Sequence, residues 1–214
     1  ATGNMDSALV YCLEALSISE TCEDNRERND RIANSAKFVG LVYDRLDKFE
    51  DAIRYHKMSL NAAKEINSNR AICGALINLA AGYNEIDSNR KAEAMLLEAL
   101  PIAEDLKNNR YQTLIHGNLA LIYEELGEVE KWGKHGVKQL EFVRQTQDAF
   151  QLAKVLANMG SFETTRGNLT RAEELLLEGI ELAEAKNILD FRFLLHMNLS
   201  HVYEVQGNYK AALL

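Results

Sequence analysis

A small residue recurs at a fixed step of 40 along this chain: Gly40, Ala80, Ala120, Gly160 and Ser200. Other columns keep the same register. Three residues on stand Tyr43, Tyr83, Tyr123, Glu163 and Tyr203; two residues before stand Phe38, Asn78, Asn118, Asn158 and Asn198. A turn column reads Asp47, Asp87, Gly127, Gly167 and Gly207, and an alanine column reads Ala52, Ala92, Trp132, Ala172 and Ala212. Several columns in phase over five copies mark a repeat array, in which each unit is too small to bury its own apolar faces and must stack on its neighbours.

Each period divides into two helices. In the second copy Ile72, Leu76, Leu79, Ala80 and Tyr83 follow helical spacing, so 71–86 reads as a first helix. Asp87-Ser88-Asn89-Arg90 reads as a turn, and Ala92, Met95, Leu96, Ala99, Leu100 and Ala103 mark a second helix, which Pro101 is expected to bend. Gly or Ala in the middle of the first helix and Ala in the first turn of the second let the two backbones approach. The architecture is all-α, built from antiparallel helix-turn-helix units. One solenoid is expected over 1–214: the second helix of a truncated repeat at 1–32, full repeats at 33–70, 71–110, 111–150 and 151–190, and a partial repeat at 191–214. Gly3-Asn4 aligns with Gly167-Asn168, which predicts a turn at the start and a chain that is a piece of a longer one. The step from Gly3 to Asp47 carries four extra residues, expected in a loop within the charged stretch Glu23 to Arg31.

The Asn-Leu-Ala-x-x-Tyr run at Asn78 to Tyr83 and Asn118 to Tyr123, with the Gly and Ala columns, resembles tetratricopeptide repeats. The 40-residue period is similar to the longer repeats of kinesin light chains, spindle-orientation adaptors and bacterial peptide-sensing regulators. The resemblance implies a right-handed superhelical solenoid with the first helices lining a concave groove, and a scaffold that binds a protein or peptide segment there. A second implied reading is a sensory or regulatory module of a larger signalling protein, for example one with a diguanylate cyclase or histidine kinase output domain.

Carried over column by column, the groove positions are the asparagines and the residues four before, one before and three after them. The candidate peptide-binding set is Asn78, Asn118, Asn158, Asn198, Ile77, Leu114, Leu121, Lys154, Leu194 and Met197. An Asn side chain offers both donor and acceptor, so a row of them can pair with a peptide backbone of any sequence. The competing role is structural, with each asparagine tying its helix to the backbone of a neighbouring repeat. Three departures stand out. Trp132 replaces an alanine while Gly136, one turn on, stands where Leu96 and Leu176 stand in other copies, a volume-conserving exchange. Glu163 replaces the column tyrosine and reads as solvated or paired with an arginine. Phe38 interrupts the asparagine column.

Charge and composition bound the partners. The chain carries 24 Lys and Arg against 32 Asp and Glu, a net charge of −8 with the cations scattered, which disfavours nucleic acid. Cys12, Cys22 and Cys73 show no paired spacing and read as reduced packing residues. No apolar run reaches the ~18 residues of a membrane span and no signal peptide is visible, so a cytoplasmic location without membrane insertion is expected. His196 and His201 are five apart, wrong for two ligands on one helical face, and no nucleophile, phosphate-loop or metal motif is present. No catalytic residue, metal or cofactor is therefore assigned, and self-association through uncapped repeat ends is kept beside partner binding.

Overall fold

The computed structural model describes the backbone of residues 2–212 and the side chains of residues 5–212. The elements are α1 (Thr2–Glu20), α2 (Asn25–Arg45), α3 (Phe49–Glu65), α4 (Asn69–Glu85), α5 (Asn89–Asp105), α6 (Asn109–Glu125), α7 (Val129–Arg144), α8 (Ala149–Thr165), α9 (Leu169–Ala185), α10 (Leu189–Val205) and α11 (Tyr209–Ala212). The described residues contain helices and no strand. From α3 onward the helices begin at 49, 69, 89, 109, 129, 149, 169, 189 and 209, so the 40-residue period is two half-periods of equal length.

From α2 to α10 each helix is followed by a residue of positive φ. Positive φ occurs at Asp47 (55°), Asp87 (55°), Gly127 (68°), Gly167 (77°) and Gly207 (74°), the turn column read from the sequence. It also occurs between repeats, at Asn67, Lys107, Gln147 and Asn187. After Gln147 the Asp148 amide donates to Thr146 Oγ1 at 3.4 Å; after the other such residues the next amide reaches back five positions, as in Lys48 N–H to Tyr43 C=O at 3.0 Å, Ser88 to Tyr83 at 2.8 Å and Ile188 to Ala183 at 2.8 Å. This is the Schellman stop, which satisfies carbonyls that the helix end would otherwise leave open. It fixes the reversal of direction within three residues, and so holds the hairpins in register.

Two expectations at the start of the chain are corrected. Gly3 and Asn4 lie inside α1, not in a turn. The four extra residues do not form a loop; they lengthen α2, which has 21 residues where most helices have 17. The reason is local. Asp24 caps α2 by accepting the Glu27 amide at 2.7 Å, and Glu27 pairs with Arg31 one turn on at 2.5 Å. A charged stretch that looks like loop by composition is thus a capped, salt-bridged helical turn. Asn89 also belongs to α5, with Ser88 as its cap residue, and α5 continues through Pro101.

The chain forms two compact units, one up to Ile122 and one from Tyr123. In the first, α1 to α5 pack each on the next, and α2 also meets α4. Its core is built of small residues against large ones: Ala33, Ala62 and Ala63 with Ile32 and Ile72, Leu16 with Ala36 and Val39, and fully buried Leu76, Leu96, Ile115 and Leu119. Burying one such leucine is worth roughly 1.5–3 kcal/mol. In the second unit α7 to α11 pack in sequence and α8 also meets α10. Trp132 is buried and crosses the Phe162 ring edge-on at 4.8 Å. Gly133 leaves the space that Phe162 fills, and Gly136 the space that Met159 fills. The volume exchange read from Trp132 and Gly136 is therefore completed by two side chains of α8.

Candidate functional site

The first helix of each repeat (α2, α4, α6, α8 and α10) turns one set of columns outward. Four residues before the asparagines, Leu114 and Lys154 are exposed while Gly74 and Leu194 are half-buried. Three residues after them, Ala81, Leu121 and His201 are exposed and Ser161 is half-buried. Asn158 is exposed, and Asn78, Asn118 and Asn198 are half-buried.

The column one before the asparagines behaves otherwise. Ile77 is buried, and Ala157 is fully buried in a core cluster with Leu195 and Leu199 of the next repeat, while Gly117 is half-buried. Ile77 therefore leaves the ligand-facing set. Met197 occupies the same column; it is 50% exposed on α10, although its counterpart Ala157 is covered. The pattern that looks like one groove wall in sequence thus divides into an outward wall and a stacking wall.

In the first unit the outward wall carries Phe38 with the Lys37 ammonium 4.4 Å from its ring, then Asn78 and Ala81, then Leu114, Asn118 and Leu121. Tyr111 Oη donates to the Arg70 carbonyl at 3.3 Å and ties α6 to α4. Among the described residues, the side chains of Asn78 and Asn118 make no hydrogen bond. They are half-open amides beside exposed leucines, the arrangement that suits an extended backbone with apolar side chains.

In the second unit Asn198 has a structural partner. Its Nδ2 donates to the Ala157 carbonyl at 3.2 Å, joining α10 to α8. The structural role weighed for the asparagine column therefore holds for Asn198. Phe150 and Phe191 add an edge-on ring contact at 4.9 Å across the same helix pair. Near the C-terminal ends of α8 and α10, a cleft of about 150 Å³ is lined by Ser161, Thr164, Thr165, Asn198, His201 and Val205. Glu163 is half-buried and accepts from Asn168 Nδ2 at 2.7 Å, an amide partner where a solvated or arginine-paired carboxylate was expected. The Ser161-Thr164-Thr165 cluster is the signal in the sequence that the column reading passed over.

Buried polar groups elsewhere serve packing. Cys73 is fully buried, its thiol donates to the Ala99 carbonyl at 3.7 Å, and burial pushes its pKa up to about 11. His135 is buried and packs on Tyr123; burial and the neighbouring Lys134 and Lys131 lower its pKa. Among the described residues no group of three His, Cys, Asp or Glu is placed to hold a metal, and no helix is long and apolar enough to cross a membrane.

No protein-family model matches the sequence, and no curated protein does. Solved structures do match in shape. BtubC (BKLC) from P. vanneervenii superposes with a TM-score of 0.82 at 17% identity, over 98% of this chain and 87% of that one. The signal transduction ATPase (STAND) protein with a tetratricopeptide repeat sensor from Pyrococcus horikoshii gives 0.76 at 19% identity, over 88% of this chain and 29% of that one. The fold is a tetratricopeptide-like helical-repeat solenoid. A Rap protein complexed with competence and sporulation factor shares this solenoid with a TM-score of 0.64 at 18% identity, over 96% of this chain and 61% of that one. Identities this low carry the fold and leave the task of the chain to its own outward residues.

Proposed function

We propose that the chain is a protein- or peptide-binding scaffold that receives a partner segment on the outward columns of its first helices, and that it acts by binding rather than catalysis. The observation that supports this best is the wall of the first unit, where Asn78 and Asn118 keep their amides unpaired beside exposed Leu114 and Leu121. Half-open amides hold a peptide backbone, and exposed leucines select apolar side chains. A tetratricopeptide-like relative in complex with a factor, the Rap protein, is consistent with it.

The test is affinity for peptides selected from a random library displayed against the folded chain. Each backbone hydrogen bond is worth about 0.5–1.5 kcal/mol net. Replacing Asn78, Asn118 and Asn158 by Ala together should therefore weaken a selected peptide by about tenfold or more. Undiminished affinity in a folded variant would remove the amide wall from the account.

The second reading is a regulatory module of a larger signalling protein. It is favoured by the sensor role of the repeats in the STAND protein, of which this chain spans 29%. Reading the gene on both sides of the segment decides it: an adjoining catalytic or kinase domain supports a sensor, and a solenoid alone supports a scaffold.

A further inference from the structure

The cleft between α8 and α10 has an unusual balance of hydrogen-bonding groups. Thr164 Oγ1 spends its only proton on the Gly160 carbonyl at 2.8 Å, and Thr165 Oγ1 spends its own on the Ser161 carbonyl at 3.1 Å. The Asn198 amide nitrogen gives one of its two protons to the Ala157 carbonyl at 3.2 Å, and its oxygen is left to accept. Ser161 Oγ, with no hydrogen bond among the described residues, is free to turn either way. The cleft wall therefore offers four acceptor oxygens, on Ser161, Thr164, Thr165 and Asn198, beside donors on Ser161, Asn198 and His201.

Its electrostatics agree. Both helices end here, at Thr165 and Val205, and a helix C-terminus carries the negative end of the backbone dipole. The Glu204 carboxylate flanks the rim, 3.6 Å from His201 Nδ1. Arg166, the cation at this end of α8, lies over the Phe162 ring at 5.6 Å. Glu163 is held by Asn168. A volume of about 150 Å³ admits a compact polar group and excludes a folded element.

We propose that this cleft receives a cationic hydrogen-bond donor, the ammonium or guanidinium of a Lys or Arg side chain on the partner segment. Three or four acceptors at the negative ends of two helices match a group that carries three to five donors and no acceptor. The copy between α4 and α6 has no such site, since Ala81 and Leu121 stand where Ser161 and His201 stand here. The cleft thus gives the scaffold a fixed point for one basic residue, and sets the direction in which a segment lies on the second unit. The inference rests on the reading that the outward columns receive a partner segment.

The experiment titrates the whole chain, at 150 mM salt, with Nα-acetyl-lysine methylamide, Nα-acetyl-arginine methylamide and the neutral Nα-acetyl-citrulline methylamide, while amide NMR shifts are followed. The expected result is saturable shifts at Ser161, Thr164, Thr165, Asn198 and His201 with a basic probe, at least tenfold weaker with citrulline. Thr164→Val with Thr165→Val keeps shape and removes two acceptors, and should weaken binding at least fivefold. Asn198→Ala is the second variant, and Thr165→Val alone replaces it if α10 loosens. Equal response to citrulline, shifts confined to the acidic α9 surface, or an unchanged Thr→Val variant would overturn the proposal. Selected peptides that bind the outward columns without any basic residue leave the scaffold reading intact and remove this one. Probes that fill the cleft while no peptide binds do the reverse.

Discussion

His56, itself without solvent exposure, places Nε2 2.9 Å from the half-buried Asp44 carboxylate, and its ring fills the space where a Cβ on Gly40 would stand. The carboxylate fixes the tautomer with hydrogen on Nε2, leaving Nδ1 buried without a partner. Gly40→Ala should therefore destabilise the chain by about 1–3 kcal/mol in chemical denaturation, the usual range for overpacking a core. His56→Leu combined with Gly40→Ala copies the Ala80 and Leu96 columns of the next repeat, and should recover most of that loss. A neutral Gly40→Ala would show that the small-for-large pairing does not set stability here.

Cys73 is predicted to be chemically silent. Burial pushes its thiol to about 11, leaving almost no thiolate at neutral pH, and the side chain has no route to solvent. Cys12 and Cys22 are half-exposed. In a timed reaction with a thiol reagent at pH 7.5, two cysteines should label, and the third only on adding denaturant. Rapid labelling of all three in the native chain would contradict the packing around α4.

His135 gives a pH dependence with a definite sign. Burial lowers its pKa below the ordinary 6.5, so the unfolded chain binds the proton more readily than the folded one. The stability linked to this residue is present above about pH 6.5 and is lost as pH falls below it. Denaturation midpoints measured from pH 8 to pH 5.5 should decline, and His135→Gln should flatten the decline. An identical slope in the variant would place the acid sensitivity elsewhere.

The stops between repeats contain two residues with no special tolerance of left-handed backbone, Lys107 at φ 49° and Gln147 at φ 55°. Both are exposed. Lys107→Gly and Gln147→Gly should each stabilise by about 0.5–1 kcal/mol, since the relief of strain exceeds the entropy that glycine adds to the unfolded chain. Lower melting temperatures in both variants would contradict the left-handed backbone at these turns.

Much of the fold was legible because sterics write it at fixed intervals. The Gly and Asp of the turn column take the left-handed stop, and Gly40 and Gly160 admit His56 and Leu176. The matching stops at Lys107 and Gln147 were illegible, since neither residue type signals positive φ. The α2 extension was hidden because a cap at Asp24 and an ion pair from Glu27 to Arg31 turn loop-like composition into helix. At the candidate site, helical spacing put Ile77 and Leu114 on one wall. Only the stacking of neighbouring repeats separates the column that is covered from the column that is open. Asn198 carries the same sequence signature as Asn118, and only the carbonyl of Ala157 within reach makes it structural.

The most direct measurement is photo-crosslinking of a library-selected peptide, with a benzophenone at each position in turn and the adducts mapped by mass spectrometry. The binding account predicts adducts on the outward residues of the first helices, such as Leu114 and Leu121 on α6 or Lys154 and His201 on α8 and α10. Adducts concentrated on α5, α7 and α9, or spread evenly over the surface, would contradict it.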